Sequence, residues 1–238
     1  KLDKLLRTVL FNKKLKIFIQ ISTSEVYGSS SDGLNMSEEH PLNPMSPYAA
    51  AKCGADRMVY SYSKTYGLPS VIIRPFNNYG PKQHLEKLIP RMICCGILNK
   101  EFKVHGDGLA SRDYIHVIDT CNAILKLVDN YSSINEVEVY NIGSDSSISV
   151  INILNKIQNH FNNNIKFKKI NNRPGQVDFH LSNSQKFRTK FNWKTNISLD
   201  EGINQTVNWY KNNSEWWENK FKFSEIRVVM PNGEIFYH

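Results

Sequence analysis

Two short stretches of this chain carry groups that could act on an alcohol and on the protons around it. The first is Ser22-Thr23-Ser24-Glu25-Val26-Tyr27-Gly28, and the second is Ser46-Pro47-Tyr48-Ala49-Ala50-Ala51-Lys52. Thr23 and Ser24 offer hydroxyls, and Glu25 offers a carboxylate. Tyr48 and Lys52 stand at i and i+4, so on a helix they share one face. An ammonium beside a phenol favours the phenolate, and a phenolate can take the proton of an alcohol. Together the groups suit redox chemistry on an alcohol, with proton abstraction beside it. Taken singly each feature is weak. Tyr60 and Lys64 repeat the spacing in the same predicted helix and read as a surface pair. Loop hydroxyls commonly cap turns. Tyr48 differs because it lies near the helix start, after a loop, downstream of a strand end.

The elements that must hold these groups follow from patterning. Leu2 to Leu10 repeats at helical spacing. Lys16 to Ile21 is a short apolar run rich in β-branched residues, the pattern of a buried parallel strand. Ser46-Pro47 starts a helix over Tyr48 to Tyr66. Strands are expected at Val71–Ile73, Phe102–His105, Val137–Ile142 and Ile165–Lys169, and helices at Leu85–Leu98 and Ile115–Val128. Ser149 caps a helix that carries Ile153, Leu154 and Ile157. Ser198-Leu199-Asp200-Glu201 is a capping box opening a helix through Tyr210. Ile226 to Tyr237, with Pro231-Asn232-Gly233 inside it, reads as a hairpin. Alternating strands and helices give an α/β sheet of parallel strands, whose ligands lie beyond the carboxyl ends. Thr23 and Asn77 both follow strands, so both fall on that edge.

Composition narrows the field. The chain has 238 residues, 40% hydrophobic and 22% charged, which suits one large domain or two small ones. No apolar run approaches the ~18 residues of a membrane span. Residues Lys1 to Lys16 lack the apolar region and cleavage site of a signal peptide, so a cytoplasmic location is expected. Cys53, Cys94, Cys95 and Cys121 show no metal spacing and read as buried or partly buried thiols in a reducing compartment. The net charge of +8 is spread along the chain rather than gathered in a stripe. It suits a solvated surface and mild attraction for a small anion, and argues against nucleic acid.

Eight blocks now fall into one order: STSEVYG (22–28), SPYAAAK (46–52), RPFNNYGP (74–81), EKLIP (86–90), GDGLASRDYIHV (106–117), YNIGS (140–144), NRPGQ (172–176) and NISLDEGINQTVNWY (196–210). The chain thereby resembles the extended short-chain dehydrogenase/reductase family, in particular its nucleotide-sugar 4,6-dehydratases. The resemblance reaches about Trp217 and has no counterpart for the tail from Lys222. It implies part of a Rossmann-like doubly wound parallel sheet, from residues 1–80 with 107–145, beside a smaller C-terminal α/β substrate lobe from 81–106 and 146–221. It implies NAD as cofactor, a nucleotide-diphosphate sugar as substrate and a homodimer. The dimer would use the Tyr48 helix, where Met58, Val59 and Tyr62 would suit such a contact if they do not face the sheet.

Roles follow by motif position. Tyr48 is the implied redox base, and Lys52 its electrostatic partner and a ribose contact. Thr23 would hold the C4 oxygen, and Glu25 would remove the C5 proton. Ser22 and Asn78 would lie near NAD. Asn77, Lys87, Leu88, Lys103, His105, Arg112, Asn141 and Arg173 would hold the sugar nucleotide, with Arg112 and Arg173 suited to a diphosphate by their guanidinium forks.

Two departures qualify this. Ser24 stands where dTDP-glucose dehydratases carry an acid, leaving Ser24 or Glu25 to help expel water. No Gly-rich phosphate turn is present, as if about three βα units, roughly 90 residues at ~30 each, lay outside the chain. Weak NAD binding by the chain alone is the expectation. A UDP-glucuronate decarboxylase, an NDP-sugar 4-epimerase, and a truncated, non-catalytic sugar-nucleotide-binding remnant stay open as alternatives.

Overall fold

The computed structural model describes residues 1–30, 34–134, 136–172, 177–221, 227–229, 233 and 235–237. In chain order the elements begin with α1 (Leu2–Leu10), β1 (Phe18–Ile21), a 3-10 turn (Ser24–Tyr27), α2 (Pro47–Tyr66), β2 (Ser70–Pro75) and β3 (Asn77–Tyr79). Next come α3 (Leu88–Ile97), β4 (Phe102–His105), β5 (Ser111–His116), α4 (Val117–Asp129), β6 (Glu138–Ile142) and β7 (Ser147–Ser149). The remainder is α5 (Val150–Gln158), β8 (Phe167–Ile170), α6 (Gln185–Phe191), α7 (Leu199–Asn212), α8 (Ser214–Phe221), β9 (Arg227–Val229) and β10 (Ile235–Tyr237). Two compact units emerge, one of residues 1–78, 112–147 and 177–196, the other of 79–111, 148–176 and 197–238.

The first unit is built on a parallel sheet in the order β1-β2-β6, with Ile19 beside Val71 and Ile73 beside Tyr140. Every residue of β2 is buried, as expected of a central parallel strand covered on both faces. One face carries Val71, Ile73, Ile115, Leu127, Tyr140 and Phe187; the other carries Leu6, Val59, Leu68 and Ile72. This is the expected α/β architecture. Helix α2 starts where Ser46 Oγ accepts from the amide of Ala49 and Pro47 supplies the first helical residue. It stops at Gly67, whose φ of 71° suits glycine.

Several sequence expectations shift here. Val59 is fully buried and Tyr62 packs beside it, donating from its hydroxyl to Asp3, so of the three proposed contact residues only Met58 is exposed. Cys121 is exposed, not buried, because it sits on the outer side of α4. Residues Ser111–His116 form a strand before α4, and the predicted helix start at Ile115 gives way to His116, whose Nδ1 accepts from the amide of Ile118. Residues 177–196, counted above with the smaller lobe, lie in the first unit. Their backbone is stitched there by Met36 N–H to Leu181 O and Asn183 N–H to Met36 O, and α6 packs on β6.

In the second unit α3, α5 and α7 pack on one another, and β4 runs parallel to β8. Ser149 caps α5 through Asn152 N–H, and Ser198 caps α7 through Glu201 N–H. The tail pairs β9 with β10 antiparallel, Ile235 beside Val229; the Pro231-Asn232 turn of the expected hairpin lies outside the described residues. No described helix is long and apolar enough to cross a membrane. Among the described residues no cluster of three His, Cys, Asp or Glu could hold a metal.

Candidate active site

The carboxyl end of β1 delivers the first group of predicted residues. Ser22 N–H still donates to Ile73 O at 2.7 Å, so the sheet holds the chain up to that point. The backbone then turns. Thr23 is extended, and its Oγ1 accepts from Glu25 N–H at 3.3 Å, capping the 3-10 turn. Ser22 and Ser24 are buried, while Thr23 and Glu25 stay partly open. The turn ends at Gly28, with φ 75°, where an added Cβ would lie 2.4 Å from Asn43 O. Only glycine closes the motif at that approach.

Helix α2 packs on this turn. Tyr48 lies in its first helical turn with 60% of its surface exposed. Lys52 Nζ reaches across to donate to Ile21 O, the last residue of β1, at 2.6 Å. That bond ties the Tyr48–Lys52 stretch to the strand end that carries Thr23 and Glu25. Tyr60 and Lys64 have other work. Arg57 stacks on the Tyr60 ring, and Lys64 pairs with Glu136 at 2.7 Å.

A buried polar network lies beneath. Arg74, on β2, donates to both carboxylate oxygens of Asp56 on α2, at 2.9 and 3.1 Å, and to the Tyr27 hydroxyl at 2.9 Å. Burial pushes Asp56 toward its neutral form, but the Arg74 guanidinium bound to it outweighs this and holds the carboxyl below its ordinary range. Burial pushes the Tyr27 phenol up to about 12. Tyr27 donates onward to Asn141 Oδ1 at 2.8 Å. The Asn141 amide group donates to Met36 O, and its backbone N–H donates to Glu38. Asn141 is therefore fully buried, with its carboxamide spent on the protein. It lies within β6, inside the strand expected over Val137–Ile142.

Other predicted residues of the first unit are similarly engaged. Asn77 Nδ2 makes a long bond to Asp113 O, 3.4 Å. Asn78 Nδ2 donates to Phe76 O, and its Oδ1 accepts from the Thr120 hydroxyl. Arg112 donates to Val177 O. In the second unit Lys87 precedes α3 with a largely exposed side chain 3.5 Å from Glu86, and Leu88 is the first residue of α3. Lys103 and His105 lie on β4, half-buried, with His105 Nδ1 3.2 Å from Asn171 O. Arg173 lies outside the described residues.

Sequence reasoning missed two residues here. Asp113 is fully buried and accepts from Ser144 N–H and Oγ, Asp145 N–H, and Ser182 N–H and Oγ. Burial raises its pKa, those donors only partly offsetting it. His180 is buried with Nε2 2.5 Å from Gly28 O. Its only sequence signal is a lone histidine in the Phe179–Ser182 stretch, which carries no motif.

Similarity to known proteins agrees in kind. The family described as GDP-mannose 4,6 dehydratase matches residues 3–206. A probable dTDP-glucose 4,6-dehydratase of Sinorhizobium fredii is 35% identical over 210 residues, covering 84% of this chain and 59% of its own length. This chain therefore spans less than two thirds of that relative. A dTDP-glucose 4,6-dehydratase of Bacillus anthracis, crystallised with NAD, superposes with a TM-score of 0.83 at 34% identity, over 92% of this chain and 68% of its own. A UDP-glucuronic acid 4-epimerase of Bacillus cereus, crystallised with UDP-glucuronic acid and NAD, gives 0.84 at 26% identity, over 89% and 66%.

Proposed function

Because the chain belongs to the GDP-mannose 4,6 dehydratase family, we propose that it carries the proton-handling groups of an NAD-dependent nucleotide-sugar 4,6-dehydratase. The observation that carries the reading is the bond from Lys52 Nζ to Ile21 O. It draws an exposed phenol, an ammonium, the Thr23 hydroxyl and the Glu25 carboxylate to one strand end. An exposed phenol and ammonium beside that strand end fit the ribose and reactive ring of NAD. The Asn78 carboxamide, engaged at both ends, fits that role less well.

NAD, when bound, supplies the acceptor and donor of hydride. Tyr48 takes the proton of the C4 hydroxyl, with the Lys52 ammonium one turn on along the same helix. Thr23 holds the C4 oxygen. With a ketone at C4, the C5 proton becomes acidic, and Glu25 removes it. Ser24 is buried and a hydroxyl is a poor acid, so Glu25 returns that proton to the departing C6 hydroxyl. Lys87, Leu88, Lys103, His105, Asn77, Arg112 and Arg173 are proposed to hold the sugar nucleotide, whereas Asn141 acts from below by fixing Tyr27. Homodimerisation is proposed without Val59 and Tyr62.

The test is to incubate the full-length protein with NAD and nucleotide-diphosphate hexoses. A 4-keto-6-deoxy product, read by its absorbance in alkali, is expected; no product from any common NDP-hexose overturns the reading. A 4-epimerase is the second reading. It needs Tyr48 and Lys52 but no acid beside Thr23, which the buried Ser24 suits. An inverted sugar without loss of water identifies it.

A further inference from the structure

The mechanism leaves the buried imidazole of His180 unused. His180 has no exposed surface, and its Nε2 lies 2.5 Å from Gly28 O. A carbonyl only accepts, so Nε2 carries the proton and Nδ1 is the bare acceptor. Among the described residues that Nδ1 has no hydrogen-bond partner. The backbone on either side of His180 is sewn to the exit of the same loop: Ser30 N–H donates to Phe179 O at 3.3 Å, and Met36 N–H to Leu181 O at 2.8 Å. Phe76 meets the imidazole edge-on, 5.9 Å between ring centres. The ring is thus fixed in position, with one end on the residue that closes the Thr23–Gly28 motif.

The charged and titratable groups facing it are Glu25, Arg112 and His40. Burial disfavours imidazolium most; the Glu25 carboxylate and the Gly28 carbonyl work the other way, Arg112 and His40 with burial, and the balance lies below the ordinary histidine range. A neutral ring holds its tautomer through neutral pH, and so keeps donating to Gly28 O.

We infer that His180 is a positioning residue for Glu25: its Nε2–H pins the carbonyl of Gly28, the residue that ends the Thr23-capped turn on which Glu25 stands. This deepens the dehydratase reading and rests on it. Gly28 is otherwise a pivot, since glycine crosses between φ regions readily. Without the pin the turn keeps its cap at Thr23 and its backbone bonds, Gly28 N–H to Glu25 O and Ser30 N–H to Phe179 O, but the Gly28 carbonyl is no longer held by the imidazole. Glu25 then swings while Tyr48 and Lys52, on α2, stay in place.

The experiment uses the full-length protein after wild-type dehydration has been established; absence of wild-type product sinks the dehydratase reading itself and is told apart in that way. His180→Phe removes the donor, and His180→Gln restores an N–H at comparable reach. His180→Phe is expected to lower kcat about 100-fold, the scale of a misplaced general base, with KM changed less than threefold. A C5-deuterated substrate should then show a larger isotope effect than with wild type, and a C4-deuterated one should not. His180→Gln should recover most of kcat. If Phe and Gln lose kcat equally, or the C4 effect rises with the C5 effect, the positioning role is overturned. Nitrogen-15 NMR of histidine-labelled protein gives a readout without turnover. An Nε2-protonated His180 is expected at about pH 7 to 8, and an Nδ1 tautomer there overturns the assignment. Should His180→Phe fail to fold, His180→Gln and the NMR tautomer still decide the matter.

Discussion

Helix α2 presents the same pair twice, Tyr48 with Lys52 and Tyr60 with Lys64, and gives the two copies different surroundings. Lys52 crosses to the carbonyl of Ile21, at the end of β1, and its tyrosine stands open to solvent. Lys64 crosses to an exposed carboxylate, Glu136, and its tyrosine carries Arg57 on its face and packs against the α1 side of the core. Spacing is identical, so spacing does not make a site. What differs is where each ammonium lands: on a strand end bearing a hydroxyl and a carboxylate, or on a solvent-screened counter-ion of little energetic weight.

The largest test of that contrast is the phenol itself. Tyr48→Phe in the full-length protein is expected to cut product formation by about 10³-fold, within the range of a lost general base, while Tyr60→Phe stays within twofold. Equal losses would erase the distinction. Next comes the ammonium. Lys52→Met should cost about 100-fold in kcat, as a lost proton-transfer partner would, and Lys64→Met should leave kcat unchanged.

A third test moves from rate to stability and contrasts buried with exposed pairing. Asp56→Ala strands the Arg74 guanidinium in the core and should destabilise by about 3–5 kcal/mol, read by urea unfolding. Glu136→Ala, at the exposed pair, should leave the urea midpoint where it was. The smallest effect is in pH. The folded-state pKa of Asp56 is depressed, so its contribution is present above the unfolded aspartate value of about 4 and is lost as pH falls through the folded value. Wild type and Asp56→Asn should therefore differ most at neutral pH and converge on acidification. A gap that widened with acid would contradict the assignment.

Much of this was legible because local chemistry and tertiary structure agreed. Ser46-Pro47 and Gly67 bound α2, Val71-Ile72-Ile73 is a strand buried on both sides, and Ser149 and Ser198 cap the helices they precede. Strand β5 was lost in part to a helical reading because His116, which ends it, also caps α4. Asn141 was ambiguous for a different reason. An amide at a strand end suits a ligand or a core, and only Tyr27, Met36 and Glu38, all far away in sequence, decide between them. His180 and Asp113 escaped notice because their meaning lies wholly in partners brought by folding. Val59 and Tyr62 show the same limit, since helical periodicity gives a face but not its direction.

The Arg74–Asp56 link has a consequence for how the molecule breathes. It joins the middle of α2 to the end of β2 at a fully buried point. Opening either element alone would leave a bare charge inside the protein, so the two should come undone together as one cooperative block. Amide hydrogens of Asp56 to Val59 and of Ile72 to Arg74 should then exchange with solvent at a common opening free energy. The far end of α2, from Lys64 onward, should fray independently. The helix would thus be clamped at its middle by Asp56 and, through Lys52, at the end that carries Tyr48, and loose at the end that repeats its motif.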